Sequence, residues 1–442
     1  MPYDLGLLIA ATLAFVVYGF AVRRGREGSD EGKLGWAQIA AGLGMTYIGG
    51  AATIAMTGIG YANGMIGLVD PIAVLAGGLL VAILVREETL RKAGEGVARF
   101  LAHGSRTRTV VYGLCSLFVY TLLASAQLVA LEKIFSPYMG ESPATATALT
   151  AFLLIAVYIY IGGIAAVTKA DILQFFVVLF FFFIPAAWGV TQLLGEESTR
   201  PAVTQTPLDV RTILLLSLSL LFVPLSQDIW VRVRRAQSAT AARTGIVTGV
   251  FIYFAVVGMA VVLGHTAARS GMQVADPETL LASFFATQLG LAGVITSIVI
   301  LVAVLSSLDA FTYNLNATLS EDLWPPRFKL WNQRGRRAAA LVVVFSTCSF
   351  IAVYATSILG LVLSALMAYV CVIGPGFILG RYAVRDVTVW APALLTLSVV
   401  VFLTASKVVL PFEPYSIFAG HLILLAALVG VERAFGVGGN DR

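Results

Sequence analysis

Long apolar runs separated by short polar segments make up almost the whole chain. The longer runs reach the roughly 20 residues that an α-helix needs to cross the hydrocarbon core of a bilayer. We predict thirteen transmembrane helices, and the connections between them are too short for a soluble domain. The helices lie near residues 4–22, 36–63, 67–85, 109–131, 144–162, 165–193, 210–229, 244–264, 286–317, 337–357, 359–380, 388–406 and 414–431.

Composition and charge support an all-α polytopic membrane protein. Hydrophobic residues make up 59% of the chain and charged residues only 12%, against about 25% charged residues in soluble proteins. If the N-terminus lies outside, all but five of the 29 Lys and Arg residues fall in cytoplasmic segments, as the positive-inside rule requires. The exceptions are Lys133, Arg200, Arg211, Arg269 and Lys407. The net charge of +5 is therefore an orientation signal, and nucleic acid is not an expected partner.

The same pattern excludes several classes of protein. The first apolar run has no basic residues before it and no cleavage site after it, so we expect a retained helix in a multi-pass protein of the inner (plasma) membrane. The three cysteines lie in apolar runs at unrelated spacings. The sequence contains no nucleophile–base set, Walker loop or metal-spaced cluster, so an enzyme is not expected.

The second predicted helix is interrupted at its centre. Residues 42–64 read GLGMTYIGGAATIAMTGIGYANG, with a Gly-Gly pair between Thr46 and Thr53. Small residues allow close packing between membrane helices, or they mark an unwound segment whose free carbonyl groups bind a cation. The side chains from Gly49 to Thr53 are too small to cover the backbone, which favours the unwound segment.

An acidic residue lies inside the sixth predicted helix. Asp171 is about two turns from its start, and Gln174 follows one turn later on the same side. Intramembrane carboxylates usually belong to an ion or proton pathway. The alternative is a carboxylate near the membrane surface that caps the helix or meets lipid headgroups.

The ninth predicted helix carries the strongest polar signal, LVAVLSSLDAFTYNLNATLSEDLW at residues 301–324. Ala303, Ser306 and Ser307 share one face, and Asp309 lies one turn beyond Ser306. Hydroxyl and carboxylate oxygens are hard ligands that suit Na⁺. An intramembrane acid next to two serines therefore favours a cation site.

Three other polar features have ordinary explanations. Asp70, followed by a proline, is predicted to be the N-cap of the third helix. Ser125 and Gln127 in the fourth helix either face a cavity or form hydrogen bonds between helices. Glu132 and Lys133 are predicted to form an ion pair at the membrane interface.

Three segments resemble motifs of the sodium:solute symporter family, whose members transport sugars, proline, pantothenate, monocarboxylates or sialic acid with sodium. Residues 301–324 are similar to the family's small residue, Ser-Ser and polar stretch with an acidic cap. GGIAAVTKADILQ at residues 162–174 resembles the run GG-x-x-A-V-x-x-T-D-x-x-Q. SQDIWVRVRRAQSATAARTG at residues 226–245 resembles the loop DQ-x-x-x-R-x-x-A. The resemblance covers about residues 36–385.

The resemblance implies a LeuT-type fold of two inverted five-helix repeats, residues 36–193 and 210–380. One helix and a loop, residues 1–35, would precede the repeats. Two helices and a short tail, residues 388–442, would follow them, with the C-terminus in the cytoplasm.

The resemblance also implies a sodium site between the second and ninth helices. Its ligands would be the carbonyl oxygens of Met45, Ile48 and Ala303 and the hydroxyl groups of Ser306 and Ser307. A second site, for a cation or a proton, would lie at Asp171. Here the chain departs from the family, because Asp309 and Ala310 replace two hydroxyl residues.

The solute would bind beside the interrupted helix. The resemblance places Tyr47, Gly49, Gly50, Ala51 and Thr53 there, with Gln127 from the fourth helix. A polyol would find few hydrogen-bonding partners among these residues. An amino acid or organic acid is therefore favoured over a sugar.

These features predict a sodium-coupled symporter that imports a small organic solute by alternating access, with Na⁺ as coupling ion and no organic cofactor. One alternative is a transporter-like sensory module that works with a separate histidine kinase. Another is a proton-coupled transporter of the same fold, using Asp171 or Asp309. The sequence leaves the solute and the oligomeric state open.

Overall fold

A computed structural model describes residues 33–91, 105–139, 144–195, 202–288, 290–324, 333–383, 385–406 and 414–434, with Ala10, Leu13 and Val17 from the first predicted helix. Within these ranges the chain is helical apart from turns, short connections and one parallel bridge between Leu34 and Ala236. The all-α prediction is confirmed for this part of the chain. The rest of the first predicted helix lies outside the described residues.

The helices are numbered here in chain order. They are α1 (Trp36–Tyr47), α2 (Met56–Asn63), α3 (Val69–Leu84), α4 (Glu87–Arg91), α5 (Arg106–Met139), α6 (Ala144–Gly195), α7 (Val210–Ser217), α8 (Ser219–Leu225), α9 (Gln227–Arg234), α10 (Ala239–Arg269), α11 (Leu280–Gln288), α12 (Gly290–Ala317), α13 (Gln333–Tyr354), α14 (Ile358–Leu379), α15 (Asp386–Ser406) and α16 (Tyr415–Ala434). π-helical turns occupy Ala51–Ala55 and Thr318–Leu323, and 3₁₀ turns occupy Gly64–Leu68, Pro277–Thr279 and Gly380–Tyr382.

The outer surface has the character of a membrane protein. Within the described residues, 10 segments are long and apolar enough to cross a bilayer. Large apolar side chains such as Ile83, Phe350, Phe402 and Ile423 point outward and are exposed. Such a surface suits lipid and would be unfavourable in water. The protein is therefore a multi-pass membrane protein, while the exact number of spans and the location of the termini stay predictions.

The fifth and sixth predicted helices form one helix in the structure. α6 runs without a break from Ala144 to Gly195, across the boundary predicted after Gly162 and Gly163. A glycine inside a helix costs only about 1 kcal/mol relative to alanine. Two glycines in a long apolar run therefore need not end a helix, and the predicted division was wrong at this point.

The centre of the bundle is formed by α12, which packs against α5, α6 and α1, while α10 lies along α1, α2 and α3. Most of α12 is buried, whereas much of α16 is exposed. The polar residues singled out in the ninth predicted helix thus lie in the protein interior. Because unpaired polar groups there are costly, their contacts are informative.

The predicted pair between Glu132 and Lys133 is wrong. Lys133 Nζ lies 2.7 Å from Asp276 Oδ2 and 2.5 Å from Glu278 Oε2. Glu132 instead accepts a hydrogen bond of 2.8 Å from the Thr145 hydroxyl group. Adjacent residues on a helix point in different directions, so they seldom face each other.

Candidate functional site

The predicted interruption of the second helix is present in the structure. α1 ends at Tyr47, and Ile48 leaves helical geometry with φ −81° and ψ 58°. The π-helical turn Ala51–Ala55 then leads into α2. The backbone around the break therefore does not follow the regular hydrogen-bonding pattern of an α-helix.

The two glycines at the break allow neighbouring helices to reach the backbone. A Cβ atom on Gly49 would lie 2.3 Å from Ser307 Oγ, and one on Gly50 would lie 2.2 Å from Ala130 Cβ. Both distances are far below van der Waals contact. Gln127 uses the space to accept a hydrogen bond of 2.7 Å from the Gly50 N–H group.

Two of the predicted sodium ligands meet beside this break. The Ser307 hydroxyl group donates a hydrogen bond of 2.9 Å to the Met45 carbonyl oxygen. Ile48 and Ala303, also predicted ligands, are buried on the same two segments of chain. Hydroxyl and carbonyl oxygens from two helices are the type of ligand that hard cations take. Their role as ligands stays a prediction.

Ser306, one residue earlier, has a different partner. Its hydroxyl group donates to Asp171 Oδ1 at 2.9 Å. Arg232 Nη2 lies 3.3 Å from Asp171 Oδ2 and donates to Thr46 Oγ1 at 2.8 Å. Asp171 is fully buried, so it is exposed neither to lipid headgroups nor to bulk water, and the guanidinium group compensates its charge.

The position of Arg232 was not predicted. The charge pattern places it in a cytoplasmic loop, but it is buried in α9. The sequence signal that singles it out is the arginine of the third family-like motif. Asp309 is buried on α12 as expected, and its role in a second cation or proton site stays a prediction.

Another buried carboxylate, which the sequence patterns did not single out, lies where α8 passes into α9. Asp228 Oδ2 accepts hydrogen bonds from the Tyr120 hydroxyl at 2.9 Å and the Ser226 hydroxyl at 3.2 Å. Asp228 Oδ1 accepts one from the Asn314 amide. The carboxylate therefore links α5, α9 and α12. An acidic residue at the end of an apolar run is the signal that could have identified it.

A cavity of about 70 Å³ lies beside the break between α1 and α2. Tyr47 and Gln127, both predicted to bind the solute, line it. Gly49 and Gly50 contact α12 and α5 instead, and the Thr53 hydroxyl donates to the Gly49 carbonyl oxygen at 3.0 Å. The side chain of Ala51 lies outside the described part of the chain. The other lining residues are Thr46, Ala52, Met56, Asp70, Val74, Leu123, Leu216, Ser219, Phe222, Val223, Tyr253, Phe311, Val362, Leu363 and Leu366.

Asp70 lines this cavity and is not the N-cap that the sequence predicted. α3 begins at Val69, directly after the turn Gly64–Leu68, so Asp70 is already inside the helix. Its oxygens accept hydrogen bonds from Ser219 Oγ at 2.6 Å and Tyr253 Oη at 2.7 Å. These partners are 149 and 183 residues away in the sequence, which is why spacing alone did not reveal them.

A multi-pass helical bundle with an interrupted helix, buried carboxylates and a central cavity is typical of secondary transporters. The sequence matches the family described as "Sodium:solute symporter family" over residues 30–391. The chain belongs to this family. The resemblance found in the sequence is thereby confirmed. A comparison with curated protein sequences finds no match.

Solved structures of transporters share the fold. The substrate-bound outward-open state of a Na⁺-coupled sialic acid symporter is 15% identical with a TM-score of 0.68, covering 98% of this chain and 97% of that one. A closed, bromovinylhydantoin-bound structure of MHP1, a nucleobase-cation-symport-1 family transporter, is 15% identical with a TM-score of 0.57, covering 91% and 93%. The inward-facing conformation of Mhp1 is 14% identical with a TM-score of 0.55, covering 93% and 95%. The predicted LeuT-type fold is confirmed, while the repeat boundaries stay predictions.

Proposed function

We propose that the protein is a sodium-coupled symporter that imports a small organic solute across the inner (plasma) membrane by alternating access. Membership of the sodium:solute symporter family supports transport coupled to sodium. The observation that carries the proposal is the 2.9 Å contact between the Ser307 hydroxyl and the Met45 carbonyl group. It joins the Ser307 hydroxyl group of α12, which is a hard ligand, to a backbone oxygen in the last turn of α1, next to the break.

This contact suggests how sodium would couple to movement. The proposed ligands are the carbonyl oxygens of Met45, Ile48 and Ala303 and the hydroxyls of Ser306 and Ser307. They come from two separate segments, so the set is complete only while α1 and α12 are close together. A cation shifts a conformational equilibrium only through its different affinity for the two states. Sodium would therefore favour the states in which these helices are joined beside the solute cavity.

The proposed second site at Asp171 is subject to a charge constraint. Arg232 lies 3.3 Å from the Asp171 carboxylate. A second Na⁺ ion there would share one carboxylate with the guanidinium group, and the two cations would repel each other. Binding at this site, with or without Asp309, would therefore need Arg232 to move away.

Uptake into proteoliposomes tests sodium coupling. Labelled amino acids, organic acids and small amines are offered under an inward Na⁺ gradient, an inward K⁺ gradient or an inward proton gradient. We expect at least one solute to accumulate only with the Na⁺ gradient. Ser307→Ala should reduce that uptake about 10- to 100-fold at limiting Na⁺, because one charged-group contact contributes about 1.5–3 kcal/mol.

The matched control is Ser364→Ala, which removes a hydroxyl that bonds only within α14, to the Gly360 carbonyl group. It should leave the Na⁺ dependence of uptake unchanged. Uptake that follows the proton gradient alone, or that is insensitive to both Na⁺ and Ser307→Ala, would contradict the proposal.

A further inference from the structure

Asp70 is a buried carboxylate whose charge has no basic partner in the described part of the chain. Only 6% of the residue is exposed. Its two oxygens accept hydrogen bonds from the neutral hydroxyl groups of Ser219 and Tyr253. No Lys, Arg or His is among the residues that line its cavity. Because burying an unpaired charge is costly, a positive group in the cavity would stabilise the ionised form of Asp70.

The cavity wall beside Asp70 is aromatic. The rings of Tyr47 and Tyr253 lie with their centroids 6.2 Å apart at an angle of 81°. Phe222 and Phe311 also line the cavity. The face of an aromatic ring attracts a cation within about 6 Å, and the attraction grows when water is excluded. The carboxylate and the rings therefore favour the same kind of ligand.

Three of the five side-chain hydrogen-bond donors that line this cavity already donate to protein oxygens, which leaves few donors for an anionic solute. Ser219 and Tyr253 donate to Asp70. Thr46 donates to the Gly42 carbonyl oxygen at 2.8 Å. A second carboxylate about 4 Å from Asp70 would also be repelled by about 4 kcal/mol at an effective dielectric constant of about 20. This argues against an organic acid, which is one of the two solute classes that the sequence favoured over a sugar.

We propose that the transported solute is an organic ammonium ion, with its charged head group beside Asp70 and the rings of Tyr47 and Tyr253. This inference rests on the proposed transport function and names its substrate class. The cavity of about 70 Å³ is smaller than the ~150 Å³ cavity that admits benzene. The head group is therefore small, and the rest of the solute extends toward the apolar wall formed by Val362, Leu363 and Leu366.

Small probes of similar size and different charge test this inference. Propylammonium, propanol and propionate each contain three carbon atoms, and ethylammonium has an uncharged analogue in ethanol. Binding is measured from the ligand-induced rise in thermal midpoint of the purified full chain in NaCl. We expect the ammonium probes to bind at least 10-fold more tightly than their uncharged analogues, with propionate weakest.

Asp70→Asn removes the charge with almost no change in shape. We expect it to reduce the affinity for propylammonium at least 10-fold and to abolish the preference over propanol. Asp209→Asn is the matched control, because Asp209 is exposed and caps α7 through the Thr212 N–H group, and asparagine caps a helix equally well. A purely structural role for Asp70 would lower stability without changing the preference between the probes.

Equal or tighter binding of propanol or propionate, or an unchanged preference in Asp70→Asn, would overturn the inference. The comparison of probes on the unmodified protein decides it even where the variant does not fold. If Na⁺ stabilises the protein but no ammonium probe is preferred, the ammonium inference fails and sodium coupling stands. If ammonium is preferred but uptake ignores Na⁺, sodium coupling fails and the ammonium site stands.

Discussion

Arg232 connects three parts of the polar interior through one guanidinium group. It contacts Asp171 on α6, the Thr46 hydroxyl on α1 and, through Nη1, the Asp228 carbonyl oxygen at 3.1 Å. α1 lies directly against it, since a Cβ atom on Gly42 would be 2.4 Å from Arg232 Nε. The side chain therefore fixes the position of α1 as well as balancing a buried charge.

Replacing the Arg232 side chain should destabilise the protein, because the Asp171 carboxylate beside it then loses its positive partner. We expect Arg232→Met to lower the free energy of unfolding by about 3–5 kcal/mol, because it leaves Asp171 buried and unpaired. The double variant Arg232→Met with Asp171→Asn should recover much of that loss, since the charge is then absent. SDS titration of the purified protein in mixed micelles measures both.

Arg269→Met provides the control, because Arg269 is an exposed arginine at the end of α10. Its free energy of unfolding should change by less than about 0.5 kcal/mol. Equal losses for Arg232→Met and for the double variant would show that Arg232 acts through packing and not through the charge of Asp171.

At the scale of elements, the turn Pro277–Thr279 links α5 to α14 and packs against α2. Glu278 contacts Lys133 on α5 and accepts hydrogen bonds from the first N–H groups of α14, Ile358 at 3.1 Å and Leu359 at 2.9 Å. These N–H groups have no partner within the helix, and a negative charge suits a helix N-terminus. In the predicted topology the turn lies on the outer side, so it closes that side over α2.

Removing the Glu278 carboxylate should release this turn. We expect Glu278→Ala to shift the protein toward conformations with a wider separation between the turn and α14. Spin labels at Ala275→Cys and Thr356→Cys report that separation by double electron–electron resonance. Both positions are exposed and can therefore be labelled. The native residues Cys115, Cys348 and Cys371 are buried and should not be labelled.

The comparison variant is Glu88→Ala, in which the lost carboxylate is exposed on α4. It should leave the distance distribution unchanged. An unchanged distribution in Glu278→Ala as well would mean that other contacts hold the turn closed.

At the scale of the whole molecule, sodium should stabilise the fold. The proposed ligands lie on α1, the break after it and α12, and an ion that binds only the folded state stabilises it by about 2.7 kcal/mol at 100 times its Kd. We expect NaCl to raise the thermal midpoint above that in KCl of equal ionic strength. Ser307→Ala should abolish the difference, and an equal effect of the two salts on the unmodified protein would argue against a specific sodium site.

The amino-acid sequence by itself determined the features that depend on nearby residues. The apolar runs identified a membrane protein, and the glycine pair identified the break between α1 and α2. The serine pair at Ser306 and Ser307, together with two further motifs, identified the family. These signals are local. Helix formation, the shielding of the backbone by side chains and short motifs all depend on residues within a few turns of one another.

Only the tertiary structure decided which polar groups meet. It paired Asp171 with Arg232, 61 residues away, and Asp70 with Ser219 and Tyr253. It also paired Lys133 with Asp276 and Glu278, and joined two predicted helices in α6. A buried polar group forms a hydrogen bond with any suitable group that the packing of the helices brings close enough. Such partners come from distant parts of the chain, so their identity is not contained in any local pattern.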